Sequence, residues 1–196
     1  MKQKILVIHG FNSSPQSLKA QITKQYIQQN FPSVEVICPQ LLSNPNAAIE
    51  QLSNIIDSDN QCRWFLTGSS LGGYFATYLA DKYNLKAALI NPAVKPYELL
   101  DDILGEQTNP YTNEVYQVTL EHMHHLKTFE IDKINAKNLL VMVQTGDEVL
   151  DYQQAVNKYQ QSQLCVQQGG DHSFINFDKM LPDIVNFFQL NKTISN

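Results

Sequence analysis

The sequence predicts an α/β fold in which helices cover both faces of a mostly or fully parallel six-stranded sheet, a three-layer sandwich. Short apolar runs alternate with longer amphipathic runs along the chain, and the short runs are apolar throughout rather than at every second residue. Strands of that kind are buried on both faces, as in a parallel sheet. The 196 residues contain no internal repeat, low-complexity tract or linker, which predicts a single domain over residues 1–196.

Each element of this fold has its own pattern. The six predicted strands are KILVIH (4–9), VEVICP (34–39), RWFLTG (63–68), KAALINP (86–92), NLLVMVQTGD (138–147) and QLCVQQGG (163–170). Apolar residues at helical spacing predict helices over 17–31, 46–56, 71–83, 153–161 and 177–190. Parallel sheets of this class carry their sites beyond the carboxyl ends of the strands, so polar residues that follow the predicted strands are the candidates for function.

Residues 93–135 interrupt the alternation, because they are far longer than a crossover between neighbouring strands requires. They are rich in apolar and aromatic residues, including Tyr111 and Tyr116. We expect a lid-like insertion or pocket wall that contacts substrate through these two tyrosines. The alternative is a crossover helix with a surface loop.

Composition excludes several classes of protein. The net charge is −5 and no run of basic residues occurs, which argues against a nucleic-acid or anionic-membrane surface. The apolar run at residues 5–8 is too short for a signal peptide or a membrane span. The three cysteines (Cys38, Cys62 and Cys165) are far apart in apolar runs, so we expect buried free thiols, no metal site and a cytoplasmic location. The oligomeric state stays open.

The stretch GSSLGG at 68–73 contains the pattern G-x-S-x-G, formed by Gly68, Ser70 and Gly72. A catalytic serine in this pattern sits on a tight turn between a strand and a helix. Here a predicted strand precedes Ser70 and a predicted helix follows it. Because the local context fits, we expect Ser70 to be a nucleophile.

Serine needs a base to accept its proton. His172 follows the last predicted strand, and Gly169 and Gly170 give the backbone before it the freedom to direct the ring toward the sheet edge. His9 ends the first strand and is expected to be structural. The remaining histidines are expected on a helix surface; they are His122, His124 and His125.

The base in turn needs a carboxylate that orients it, and Asp147 lies at the carboxyl end of the fifth predicted strand. Glu148 and Asp151 are competitors for this role. Asp171 is adjacent to His172 and is expected to cap the loop rather than to contact the ring. The order serine, aspartate, histidine along the chain is the one that such folds use.

The developing oxyanion needs hydrogen-bond donors. One donor is expected to be the backbone amide of Leu71, which follows the nucleophile. The second is expected in the loop HGFNSSP after the first strand, where Phe11 is the first candidate and Asn12 the second.

Five motifs together resemble the YqiA-type esterase family of compact α/β-hydrolases: HGFNSSP, GSSLGG, NPAVKPYELL, QTGDEVLDY and GGDHSF. The resemblance extends from Ile5 to about Phe188. It implies a six-stranded sheet, hydrolysis of carboxylic esters, and the same assignment of Ser70, Asp147 and His172.

The sequence therefore predicts a serine esterase that hydrolyses small-molecule carboxylic esters or acyl thioesters through an acyl-enzyme, without metal or cofactor. An acyltransferase or amidase that uses the same three residues is one alternative. A non-catalytic binding protein that retains the fold is another. The physiological substrate and the acyl chain length are not determined by the sequence.

Overall fold

The computed structural model describes residues 1–99 and 103–191, and within these ranges six parallel strands form the central sheet. In chain order the strands of the molecule are β1 (Gln3–Ile8), β2 (Val34–Ile37), β3 (Arg63–Ser69), β4 (Lys86–Ile90), β5 (Gly105–Thr108), β6 (Val115–Val118), β7 (Leu139–Gln144) and β8 (Gln163–Gln167). The central sheet has the order β2-β1-β3-β4-β7-β8, and every pair in it is parallel. The predicted sheet is confirmed.

Helices cover both faces of this sheet. They are α1 (Leu18–Asn30), α2 (Pro45–Asp57), α3 (Leu71–Tyr83), α4 (Leu120–Thr128), α5 (Tyr152–Lys158) and α6 (Leu181–Phe188). The predicted helix over 177–190 is divided, because a 3₁₀ turn over Phe177–Met180 precedes α6, which has a proline in its first turn. Proline suits that position since it lacks the amide that an α-helix leaves unpaired there.

Residues along each strand alternate between two hydrophobic cores, as the two-residue period of a strand requires. Leu6, Ile8 and Leu66 face a core shared with α2 and α3. On the opposite face, Ile5, Val7 and Phe65 pack against α1 and α6; the rings of Phe65 and Phe188 stack with centroids 4.8 Å apart. Both faces of β1 and β3 are therefore buried, which fixes the position of the loops that follow them.

The insertion at 93–135 contains an antiparallel hairpin of β5 and β6 followed by α4. Val118, Leu126 and Phe129 are buried in the α2–α3 core, and the Tyr74 hydroxyl donates to the Leu126 carbonyl at 2.7 Å. Other apolar side chains of the insertion are exposed: Leu99, Leu104, Tyr111 and Leu120. Leu100, which belongs to the same apolar set, lies outside the described residues. Much of the apolar content thus packs against the flank of α2 and α3.

The three cysteines are free, and all are partly rather than fully buried. The expectation of buried thiols was therefore too strong, because Cys38 and Cys165 follow or occupy the two edge strands β2 and β8, which have a neighbour on one side only. In the described part of the chain, no group of acidic, histidine or cysteine side chains is arranged to hold a metal ion. None of the helices in those same ranges is both long enough and apolar enough to span a bilayer.

Candidate active site

Ser70 occupies a strained turn between β3 and α3. Its backbone has φ 55° and ψ −123°, which for a residue with a side chain costs about 1–3 kcal/mol. The turn is held by the end of β4: the Ser70 amide donates to the Ile90 carbonyl at 3.1 Å, and the Ser70 carbonyl accepts from Ala93 at 3.0 Å. The surrounding structure therefore maintains a conformation that projects the Ser70 side chain above the sheet edge.

The glycines of the G-x-S-x-G pattern are required by close packing of backbones. A Cβ atom on Gly72 would overlap the carbonyl oxygen of Ile8 in β1, and one on Gly68 would overlap the carbonyl oxygen of Gly72. Because α3 crosses the ends of β1 and β3 at this distance, side chains at these positions are excluded. The pattern in the sequence is thus explained by the geometry of the turn.

The structure brings Ser70, His172 and Asp147 into one hydrogen-bonded chain. The Nε2 atom of His172 lies 3.1 Å from the Ser70 Oγ. The Nδ1 atom of the same ring lies 2.9 Å from the Asp147 Oδ2 and 3.0 Å from its Oδ1. The Asp147 side chain is only 2% exposed, so the carboxylate contacts the ring away from solvent.

Asp147 is ionised and fixed by its surroundings. Burial would raise the pKa of its carboxyl, but hydrogen bonds from His172 and from the amides of Leu150 and Val149 outweigh burial and lower the pKa below its ordinary value. The two backbone bonds are 2.8 and 2.9 Å long. An anion held in this way stabilises the protonated ring that forms during general-base catalysis.

The two acidic competitors have other contacts. The Glu148 carboxylate accepts from the backbone amide of His172 at 3.1 Å and not from its ring. Asp151 caps the first turn of α5 by accepting from the Gln153 amide. Asp171 accepts from the Ser173 hydroxyl. Among these carboxylates, Asp147 alone hydrogen-bonds the His172 ring within the described ranges.

Two buried amide side chains that the sequence patterns did not reveal hold the loop that carries His172. The Asn91 Nδ2 donates to the carbonyls of Asp171 and His172 at 3.0 and 3.3 Å. The Gln144 Oε1 accepts from the amides of Asp171 and Ile175. Asn91 and Gln144 are 2% and 3% exposed and follow or end buried strands. The sequence signal that could have revealed them is a polar residue at the end of an apolar strand, because such a residue needs a hydrogen-bond partner when it is buried.

The loop after β1 passes directly over Ser70. A Cβ atom on Gly10 would lie 3.3 Å from both the Cβ of Ser70 and the Ser69 carbonyl oxygen, so a side chain there would force a small shift of the backbone beside Ser70. The backbone amides of Phe11 and Leu71 have no hydrogen-bond acceptor among the described residues. Both residues line a cavity of about 40 Å³ between the loop after β1 and the start of α3. Asn12 has φ 48°, so the loop turns sharply after Phe11.

His9 anchors the base of this loop in its neutral form. Its Nε2 accepts from the Leu41 amide at 3.1 Å, and its Nδ1 donates to the Gly10 carbonyl, 2.9 Å away. Burial lowers the pKa of His9, and the bond to Gly10 opposes burial only in part. A proton on Nε2 would face the Leu41 amide hydrogen. His9 is therefore a neutral support of the loop.

The hairpin of the insertion is hydrogen-bonded to the same loop. The Tyr116 hydroxyl donates to the Asn12 Oδ1 at 2.7 Å, and the Asn12 Nδ2 donates to the Gln107 Oε1 at 3.4 Å. The Asn109 Nδ2 donates to the Ser13 carbonyl at 3.0 Å. The hairpin therefore fixes both the side chain of Asn12 and the backbone beyond it.

The tyrosines predicted to contact substrate have different positions. Tyr116 is partly buried and lines the 40 Å³ cavity beside Phe11 and Leu71. Tyr111 is 51% exposed and lines neither this cavity nor the larger cavity that Ser70 lines. Contact of either tyrosine with substrate stays a prediction, as does the role of the insertion as a lid or pocket wall.

The remaining predicted surface residues lie on or beside α4. His122 closes a capping box with Thr119 at the start of this helix. His124 is exposed, and His125 is partly buried and faces Glu121. His122 thus stabilises the start of the helix, His124 and His125 lie further along it, and none of the three contacts Ser70.

A family model described as Uncharacterised protein family (UPF0227) matches residues 4–189. The chain belongs to this family, the YqiA family. The match spans nearly all of the described structure, including Ser70, Asp147, His172 and the loop after β1. The resemblance seen in the five sequence motifs is thereby confirmed.

Solved structures with the same fold have low sequence identity. Est1E from Butyrivibrio proteoclasticus, in a structure with bound ferulic acid, matches with a TM-score of 0.76 at 13% identity over 98% of this chain and 90% of Est1E. Mouse alpha/beta hydrolase domain-containing protein 10 matches with a TM-score of 0.75 at 16% identity, over 95% of this chain and 90% of the mouse protein. A monoacylglycerol lipase from Paleococcus ferrophilus matches with a TM-score of 0.71 at 13% identity, over 96% of this chain and 95% of the lipase. The molecule has the α/β-hydrolase fold.

Proposed function

We propose that this protein is a serine esterase that hydrolyses carboxylic esters or acyl thioesters through an acyl-enzyme. The observation that carries the proposal is the hydrogen-bonded chain from Ser70 Oγ through the His172 ring to the buried Asp147 carboxylate. Such a chain gives a serine hydroxyl a base and gives the base a fixed orientation.

The first half of the reaction forms the acyl-enzyme. His172 Nε2 accepts the hydroxyl proton while Ser70 Oγ bonds to the acyl carbon. Asp147 accepts the hydrogen bond from Nδ1 and stabilises the positive ring. When the tetrahedral intermediate collapses, the bond from the acyl carbon to the leaving oxygen or sulfur breaks. His172 then returns its proton to the departing alcohol or thiol.

The second half uses water as the nucleophile. His172 takes a proton from the water, whose oxygen bonds to the acyl carbon, and gives a proton back to Ser70 Oγ as the acid leaves. The free amides of Phe11 and Leu71 support their proposed role as donors to the oxyanion in both halves. None of these steps requires a metal or cofactor.

The fold supports this assignment as background. The structural relatives include a lipase, but at 13% identity it shares the fold alone. The proposal therefore depends on the geometry around Ser70. The substrate expected is a small ester or thioester, because the cavity that Ser70 lines has a volume of about 170 Å³ and the cavity lined by Phe11 and Leu71 about 40 Å³.

The test is hydrolysis of aryl esters by the wild type and by single variants. Ser70→Ala and His172→Ala should each lower kcat by about 10⁴-fold or more, and the double variant should be little worse than either. Asp147→Asn should cost somewhat less. Exposed residues of the same types supply controls, Ser58→Ala and His124→Ala, which should retain full activity.

Full activity of Ser70→Ala would contradict the proposal. It would also be contradicted if the fall in kcat of the double variant equalled the product of the falls of the two single variants, because the two residues would then act independently. Addition of an alcohol or amine acceptor extends the same assay. If the acyl group passes to the acceptor in preference to water, the protein is an acyltransferase on the same residues. If no ester or amide is cleaved and Ser70 does not react with a fluorophosphonate, it is a binding protein.

A further inference from the structure

A second feature of the site is a cavity of about 170 Å³ that opens beside Ser70 and His172 on the α1 face of the sheet. Most of its lining surface is apolar, with Val7, Ala20 and Phe177 among the residues that form the wall. A cavity next to the nucleophile with such walls suits the acyl group of an ester. Its polar residues, however, are more numerous than a hydrocarbon chain would require.

Thr67 belongs to the wall of this cavity and has a buried, unpaired hydroxyl. The residue is 2% exposed and lines the cavity, and its Oγ1 has no hydrogen-bond partner among the described residues. A buried polar atom left without a partner costs about 1–3 kcal/mol. Thr67 precedes Ser69 by two positions on β3, about 7 Å along the strand. A polar atom of an acyl group that fills this cavity would give the Thr67 hydroxyl a partner.

The N-terminus of α1 also faces the cavity, since Ser17 and Lys19 are among its lining residues. Ser17 makes no side-chain cap, and the first turn contains no acidic residue. The amides of Leu18, Lys19 and Ala20, the first three of this 13-residue helix, have no acceptor among the described residues. Unpaired amides and the positive end of the helix dipole favour an anion at this position.

Lys19 adds a full positive charge to the same wall. Its Nζ donates to the Ser173 carbonyl at 2.9 Å, and within the described ranges it forms no ion pair. Burial lowers the pKa of Lys19, and attraction by Asp171 and Asp147 opposes that effect. Because an ammonium has three hydrogens, Lys19 can donate to a ligand while it retains the bond to Ser173.

We propose that this cavity binds the acyl group and selects short acyl groups that carry a carboxylate, so that the preferred substrates are monoesters of short dicarboxylic acids. The inference rests on the proposed esterase function and adds the substrate class. The Lys19 ammonium, the α1 amides and the Thr67 hydroxyl are three kinds of donor around one space. A carboxylate has enough lone pairs to accept from all of them.

The matched substrates are monoethyl succinate and ethyl butyrate, in which a methyl group replaces the carboxylate. Ethanol release gives kcat/KM for both. We expect the wild type to prefer the charged ester, and Lys19→Gln to lower the ratio of the two kcat/KM values by about tenfold or more, as for a lost charge-assisted hydrogen bond. Thr67→Val, which keeps the side-chain shape, should lower the same ratio by about threefold or more.

The control is Lys24→Gln, which removes the same charge from an exposed position on α1 outside the cavity and should leave the ratio unchanged. The proposal is wrong if the wild type shows no preference for monoethyl succinate. It is also wrong if Lys19→Gln lowers both kcat/KM values equally, because Lys19 then serves only to hold Ser173 and the loop beside it.

Failure of the two proposals can be told apart. If ethyl butyrate and aryl esters are hydrolysed through Ser70 but the charged ester has no advantage, the substrate class is wrong and the esterase proposal stands. If no ester is hydrolysed and Ser70 is inert toward a fluorophosphonate, the esterase proposal is wrong, and the inference about the cavity is overturned with it.

Discussion

Removal of the Tyr116 hydroxyl tests whether the insertion aligns the loop that carries the proposed oxyanion donor. In Tyr116→Phe the ring that packs edge-on to Phe11, with centroids 6.3 Å apart, is kept. The 2.7 Å bond to the Asn12 Oδ1 is lost. Among the described residues, the Asn12 side chain then retains only the longer 3.4 Å bond to Gln107. The Phe11 amide lies next to Asn12 in the chain and should lose its alignment in part.

The expected loss can be estimated from two limits. Complete removal of an oxyanion donor costs about 10²–10³ in kcat. Loss of one neutral hydrogen bond is worth about 1 kcal/mol, which is roughly fivefold in rate if it acts on the transition state. Because the Phe11 amide is loosened and not removed, we expect kcat to fall by about five- to tenfold with KM nearly unchanged.

The assay is steady-state hydrolysis of an aryl ester at saturating and limiting concentrations. Tyr97→Phe is the control: Tyr97 also belongs to the insertion and donates one 2.8 Å bond, to Glu130, but it does not contact the loop. Because its acceptor is a carboxylate, Tyr97→Phe should lose at least as much stability as Tyr116→Phe. If Tyr116→Phe keeps kcat within about twofold of Tyr97→Phe, or if the loss lies in KM, the hairpin does not align an oxyanion donor.

Three other predictions concern the turn, the buried histidine and the insertion. The free energy of unfolding of Ser70→Gly, measured by denaturant titration, should exceed that of Ser70→Ala by about 1 kcal/mol, because glycine adopts φ 55° without strain. Equal free energies of unfolding would show that the turn is unstrained. Burial lowers the pKa of His9 in the folded protein below 6.5, the ordinary value for histidine. Just below pH 6.5 the unfolded chain therefore binds more protons than the folded protein, and the free energy of unfolding falls as the pH drops through 6.5. His9→Gln should reduce that decline, and an unchanged slope in denaturation at several pH values would contradict it. Tyr111→Ala should change the ranking of substrates by acyl length if Tyr111 contacts substrate, and an unchanged ranking in a folded variant would reject that contact.

The fold could be predicted because its signals are local. Buried parallel strands are continuous apolar runs, as at residues 63–68, and the helices between them have clear amphipathic spacing. The position of Ser70 follows from the same patterns, since a serine flanked by glycines between a strand and a helix is typical of a nucleophile turn. Asp147 could be ranked above Glu148 only by its place after the strand. Their hydrogen bonds to the ring and to the backbone of His172 separate the two in three dimensions.

The insertion was less predictable because its structure depends on long-range contacts. The strands β5 and β6 are only four residues each: β5 (GEQT) is polar, and β6 (VYQV) has apolar or aromatic residues at adjacent positions, so no two-residue hydrophobic pattern marks them. The bond from Tyr116 to Asn12 joins residues 104 positions apart. The support of His172 by Asn91 and Gln144 likewise crosses three strand ends. Such partners are set by tertiary packing, which short sequence patterns do not encode.

Trapping the acyl-enzyme tests the central claim most directly. The protein would be mixed with an aryl ester, quenched in acid during the first turnover, digested and examined by mass spectrometry. The account predicts a burst of phenol equal to the enzyme concentration and one acyl group on Ser70, both absent in Ser70→Ala. Rapid hydrolysis with an acyl group on another residue such as Ser69, or with Ser70→Ala still giving the burst, would contradict it.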